Sequence, residues 1–206
     1  MMLENKHHHF KLYKPYGYIS QMLSNDERQA RKKKFLSSLY DFPKGIMAIG
    51  RLDEKSEGLL LVTTDGKLSN TINRSGIEKE YYAQVDGAIT TEAIDILCKG
   101  VEIGFKGKKY TTKPCEVSQL ISSPNLPDRS KKLRDDRHGP TTWIRVVLKE
   151  GKFRQVRKMT SAVGFPTLRL VRVRIGGLTL ETLQPAEVKS VSESIIHSQV
   201  LTTNSL

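Results

Sequence analysis

The sequence is poor in cysteine: Cys98 and Cys115 are its only two, in neither a CxxC pair nor a metal-ligand spacing. That points away from a disulfide framework and a thiolate zinc site, and towards a reduced compartment. Long apolar runs are also missing. None approaches the roughly 20 residues a helix needs to cross a bilayer, and the first residues lack a signal-peptide core. There is no internal repeat, no glycine-rich phosphate loop of the usual kinds, and no helix-turn-helix or zinc module. His7, His8 and His9 have no acid or cysteine cluster nearby in sequence, so no metal is expected there. Acids are scarce as well, with 22 Asp and Glu against 34 Lys and Arg. A soluble, cytoplasmic protein with no membrane or metal partner is the expectation.

What is present is positive charge. The 206 residues carry a net +12 and are 37% apolar, enough for one sizeable domain or two small subdomains sharing a core. Such an excess calls for a polyanionic partner: RNA, DNA or an anionic membrane surface. The charge is concentrated. Between Arg145 and Arg174 stand nine cations against the single acid Glu150, a net +8 in thirty residues. Most are arginines, which grip phosphate bidentately and stack on bases. One basic surface is the expectation, and RNA is favoured over DNA and membrane. Tyr81, Tyr82 and Trp143 offer stacking surfaces, although burial is the commoner fate of such aromatics.

The element pattern is mixed. Strands are expected at Phe10–Tyr13, Leu59–Thr63, Lys79–Val85, Thr141–Leu148 and Leu168–Ile175, with one or two more around a Lys106-Gly107-Lys108 turn. Helices are expected over Lys67–Asn73 with Asp65 as cap, from Thr90 or Thr91 to Gly100, and over Phe153–Val163. In the last of these, Val156, Met159 and Val163 make an apolar stripe while Arg154, Arg157 and Lys158 share another side. Residues 122–140 form a long charged loop, and from Ser190 the chain reads as a Ser/Thr-rich tail. Strands interleaved with few helices make the class α+β, with a mixed or antiparallel sheet.

One stretch stands out, Gly50-Arg51-Leu52-Asp53 through Gly58 to Thr64-Asp65-Gly66. A polar loop bearing Asp53 runs into a buried strand, which is where functional side chains tend to sit. A loop whose charges are merely solvated is the alternative.

Four segments together settle into a recognisable order. Lys14-Pro15-Tyr16-Gly17, the Gly50–Gly66 stretch, Lys79-Glu80-Tyr81, and Glu150-Gly151-Lys152-Phe153-Arg154-Gln155-Val156-Arg157-Lys158-Met159 resemble the motifs of pseudouridine synthases. They match the group that modifies ribosomal RNA, with a type A acting on the small subunit and types B, E and F on the large one. Within that group the type E pattern is the most similar. The resemblance covers about residues 10–187. It implies a frayed start over 1–9, a catalytic domain over 10–189 and a polar tail over 190–206. Most of the group carry an S4-type RNA-binding domain; with few residues before Lys14, none is expected here. Ala83 stands where the group often has valine.

The implied fold is a mixed, largely antiparallel central sheet with flanking helices, in two subdomains around a catalytic cleft. The implied activity is isomerisation of one uridine to pseudouridine in 23S rRNA, by a monomer without cofactor. The resemblance makes Asp53 the carboxylate that starts glycosidic cleavage, Arg157 its positive neighbour, with Arg51 as the alternative partner, and Tyr81 the group on the base. Leu170 would wall the pocket, and Arg51, Arg154, Lys158, Arg169 and Arg172 would bind the RNA. A non-catalytic rRNA-binding or ribosome-assembly factor on the same fold is the alternative.

Overall fold

The computed structural model describes residues 7–133 and 136–202. In chain order its elements are β1 (His9–Lys14), β2 (Tyr18–Ile19), α1 (Glu27–Lys32), β3 (Lys34–Phe35), β4 (Met47–Ile49), β5 (Glu57–Thr63), α2 (Gly66–Arg74), β6 (Lys79–Asp86), α3 (Thr91–Lys99), β7 (Glu102–Phe105), β8 (Lys108–Thr111), β9 (Glu116–Gln119), β10 (Thr141–Leu148), α4 (Gln155–Ala162), β11 (Thr167–Ile175), β12 (Leu178–Thr179), β13 (Val188–Ser190) and α5 (Glu193–Ile196). The class is α+β. Two compact units share the chain, one made of residues 1–77 with 175–206 and the other of residues 78–174.

In the first unit β1 lies between β13 and β5, antiparallel to both, and β4 also pairs antiparallel with β5. The short β2 and β3 pair in parallel. All seven residues of β5 are buried, as are all six of β1. A strand covered on both faces must be almost continuously apolar, which explains the Leu59–Val62 run. Phe10, Leu12, Leu36, Leu60 and Val62 form a core here. The Asp65 carboxylate accepts from the backbone N–H groups of Lys67 and Leu68, so it caps α2 as its position before the helix predicts.

In the second unit the strand order is β11, β6, β10, β9, with β10 antiparallel to both β6 and β9. β7 and β8 form a separate hairpin. The core draws on β6 (Ala83, Val85), α3 (Ala93, Leu97), β10 (Ile144, Val146, Leu148), α4 (Val156, Met159) and β11 (Leu170). Thr90 caps α3 and Gly100 ends it with φ +103. Between Gln119 and Thr141 the described residues hold only a 3-10 turn at Asp136–His138, as expected of the long loop.

Three sequence expectations change. α4 begins at Gln155 rather than Phe153, because Arg154 takes left-handed backbone angles (φ 55, ψ 34) that no α-helix continues through. The expected tail is folded as far as Thr202. Ser190 closes β13, and α5 runs into a π-helical turn over His197–Leu201 that buries Ile196 and Val200. Of the expected frayed start, residues 1–6 lie outside the described residues, whereas His9 is buried and opens β1. Residues 203–206 of the expected tail also lie outside.

Candidate catalytic site

Asp53 stands on the loop between β4 and β5 of the first unit, half-buried, with Leu52 buried and Arg51 exposed beside it. Gly50 opens the loop at φ +70, and a Cβ there would stand 3.2 Å from Asn73 Oδ1. Left-handed backbone at this point favours glycine, so the Gly-Arg-Leu-Asp order has a conformational cause. The loop is fixed at several points. The Leu52 N–H donates to Ser20 Oγ and the Ser20 hydroxyl donates back to Leu52 O, each at 2.9 Å. The N–H of Ser56 donates to Asp53 O, closing a turn around the acid, and Gly17 N–H donates to Glu54 O at 2.8 Å. Lys33 meets the Glu54 carboxylate at 2.6 Å.

The opening motif thereby acquires a role. Lys14 is fully buried, its ammonium donating to the carbonyls of Pro15 (2.9 Å) and Tyr18 (2.6 Å). It folds the 15–18 turn back on itself, and Gly17 (φ +85) presents that turn to the Asp53 loop. Glu54 is an ion-pair partner and Glu57 is 2% exposed within β5, so neither is one of the merely solvated charges of the alternative reading of this loop.

In the second unit Tyr81 is partly buried on β6 and packs against the core. Two residues before it, Lys79 is desolvated and lies near Arg172. Burial first, and that neighbouring charge second, push its pKa down to about 8. Arg157 lies on α4, with Nη1 donating to Thr167 O at 3.1 Å. The turn before α4 is held by Gln155, which is buried: Lys152 N–H donates to its Oε1 (2.8 Å) and its Nε2 donates to Glu150 (2.6 Å). Glu150 also accepts from the Tyr110 hydroxyl and the Lys113 N–H. Desolvation pushes the Glu150 carboxyl up, and these bonds together outweigh it and hold the group below its usual range. Arg154, with its left-handed backbone, lies within the segment these bonds bracket. Arg154, Arg157 and Lys158 share one groove with Glu102, Ile103 and Gly104, so the expected cationic side of this segment exists.

The expected single basic surface is smaller than the residue count suggests. Arg172 is 3% exposed and Arg169 is buried with Nη2 donating to Pro127 O at 2.7 Å. Arg145 and Arg174 both grip the buried Glu80, at 3.0 and 2.9 Å, and extend to Glu116 and Glu78 respectively. These four arginines are engaged largely inside the unit. Leu170 belongs to the core. The sequence alone singles out no role at the site for Ser20, Glu150 or Gln155, although Glu150 and Gln155 stand within a recognised motif. Among the described residues no group of three or more His, Cys, Asp or Glu could hold a metal ion, and no helix is long and apolar enough to cross a membrane.

The profile of the RNA pseudouridylate synthase family matches residues 8–162. The chain belongs to this family. It is 41% identical over 183 residues to the ribosomal large subunit pseudouridine synthase E of Vibrio vulnificus, covering 87% of this chain and 73% of that one. It is 40% identical over 178 residues to the Xanthomonas campestris protein of the same name, covering 85% and 91%. The ribosomal small subunit pseudouridine synthase A of Escherichia coli is more distant, at 31% over 195 residues, covering 93% and 74%. Among solved structures, a pseudouridylate synthase aligns with a TM-score of 0.73 at 26% identity, covering 95% of this chain and 74% of that one. The family match takes in Arg51, Asp53, Tyr81, Arg154, Arg157 and Lys158. Arg169, Leu170 and Arg172, on β11, lie beyond it. Asp53 and Arg51 belong to the first unit of this pseudouridylate synthase, and the other candidate site residues to the second.

Proposed function

We propose that this protein converts one uridine of large-subunit (23S) rRNA to pseudouridine, in the cytoplasm, as a monomer without cofactor. The observation that carries this is the identity of about 40% with ribosomal large subunit pseudouridine synthases of type E from two organisms, over at least 85% of this chain. The reaction breaks the bond between ribose C1′ and N1, turns the base, and joins C1′ to C5. The C5 proton is lost and N1 regains one, so no electron is gained or lost overall.

Asp53 is the group that acts on the sugar, as nucleophile or as base. A loop tied by Ser20, Gly17 and Ser56 suits that task, since catalytic placement must hold to a fraction of an ångström. Arg157 is assigned as the cationic partner in the reaction, Tyr81 to the base, where it takes the C5 proton, and Leu170 to the pocket wall. Flipping the uridine out of the RNA costs a few kcal/mol. Arg51, Arg154 and Lys158 offset this through phosphate contacts.

Asp53→Asn tests the assignment. The purified variant is expected to bind 23S rRNA fragments within about threefold of the unaltered protein. Its pseudouridine formation should fall by about 10²–10⁴-fold or more. Undiminished conversion by the variant would remove Asp53 from the mechanism. An unaltered protein that bound rRNA and never modified it would leave a binding factor in place of an enzyme.

A further inference from the structure

We propose that Phe153 is a stacking platform for an unpaired base of the substrate RNA, with the neighbouring groove of β7 and α4 taking the attached phosphate. The inference rests on the RNA reading above and adds a contact surface to it. Phe153 is 67% exposed, in the turn that Glu150 and Gln155 hold rigid. A lone exposed apolar side chain is ordinary on a protein surface; what sets Phe153 apart is that its turn is fixed and that Lys158, Arg154 and Arg157 stand around it.

The other rings near it are already engaged. The Lys152 ammonium sits 5.4 Å from the Phe105 centroid and 4.8 Å from that of Tyr110, and the Tyr110 hydroxyl is held by Glu150. Tyr40, the other aromatic among the exposed large side chains of the described residues, packs against Phe10 and Phe42 in the first unit. Phe153 has a different neighbour: the Lys158 ammonium lies 5.4 Å from its centroid and donates to Gly104 O at 2.6 Å. One cation is thus fixed over the ring by a second tether, while most of the ring surface faces solvent.

The groove beside it, about 440 Å³, is lined by Arg154, Arg157, Lys158, Gly104 and Glu102. Glu102, the acid among them, is matched by Lys109 at 2.9 Å. The local field is therefore positive. A π-face beside a cationic groove is how single strands are held without reading sequence. A membrane surface would call for several aromatic or leucine anchors in one plane, whereas here a single ring projects.

The test is binding of a short single-stranded RNA carrying a fluorescent base analogue, at several salt concentrations, with Phe153→Ala and Phe153→Tyr. As an exposed residue, Phe153 can be replaced without unfolding the chain, which circular dichroism will verify. Phe153→Ala is expected to weaken binding roughly 5- to 100-fold and to abolish quenching of the analogue. The slope of log affinity against log salt should stay unchanged, because a neutral ring releases no counterions. Phe153→Tyr should bind within about threefold of the unaltered protein, and Arg154→Gln should lower the salt slope by about one.

Equal affinity of Phe153→Ala and the unaltered protein would overturn the proposal. So would an RNA affinity that is kept while binding to phosphatidylserine vesicles, or self-association, is lost. If the unaltered protein modifies uridine and Phe153→Ala binds as tightly, only this platform falls. If the unaltered protein neither binds nor modifies RNA, the proposed function falls with it.

Discussion

The residue that ties down the neighbour of Asp53 is a serine more than thirty positions away in sequence. Ser20 accepts from the Leu52 N–H and donates to the Leu52 carbonyl, so one hydroxyl satisfies both polar groups of the residue next to the acid. Ser20→Ala would leave a buried donor and a buried acceptor without a partner, a loss of about 1–3 kcal/mol in stability. The larger effect is expected in the reaction. With Leu52 released, Asp53 can drift by a fraction of an ångström, and kcat should fall roughly 10- to 100-fold with KM nearly unchanged. Ser20→Thr, which keeps the hydroxyl, should recover most of the rate. Single-turnover kinetics decide between positioning and mere support: a lower denaturation midpoint with kcat intact would show that Ser20 only holds the fold together.

Elements show what a sequence can and cannot reveal. The caps at Asp65 and Thr90, the stop at Gly100 and the strands β5, β6, β10 and β11 are legible because they rest on local rules of spacing, capping and apolar run length. The end of the chain is not. Its Ser/Thr-rich composition reads as a tail, yet Ile196 and Val200, four residues apart, are enough to seat a helical face. The basic surface is overstated by the sequence for a related reason. Arg145 and Arg174 find their partner Glu80 65 and 94 positions away, outside any window over which charge is counted.

Gly100 gives an element-scale prediction. It ends α3 at φ +103, and a Cβ there would lie 2.3 Å from Thr112 O. That carbonyl is backbone, and the adjoining residues are fixed by Val101 N–H to Thr112 Oγ1 and Thr112 N–H to Val101 O. Gly100→Ala therefore combines a left-handed strain with a collision that cannot be relieved by rotating a side chain. It should cost about 2 kcal/mol or more, read as a lower urea midpoint with the slope unchanged. Gly107 makes the control: its φ is +74 but nothing lies within 4 Å, so Gly107→Ala should cost only the backbone strain.

At the scale of the molecule the +12 charge is not spread evenly between solvent and interior, and the buried part governs how stability responds to pH. Lys79 carries its charge in the unfolded chain up to pH 10.5, but in the fold burial and Arg172 lower that limit to about 8. Between those values the unfolded state binds more protons, so stability rises with pH through this window. Cys115 acts in the opposite sense. Burial, with Cys98 as a lesser cause, raises its thiol from 9.0 to about 11, so the folded state keeps a proton that the unfolded chain loses. That contribution falls as pH rises from 9.0 to about 11. The two together predict that the urea midpoint climbs from about pH 8 and that the climb is checked above about pH 9. Lys79→Gln should flatten the rise, and Cys115→Ser should prolong it. Because Lys79 stands two residues from Tyr81 on β6, the role proposed for Tyr81 predicts that the same titration appears in the pH dependence of kcat. A Lys79→Gln stability profile parallel to that of the unaltered protein would mean that some other group sets the alkaline response.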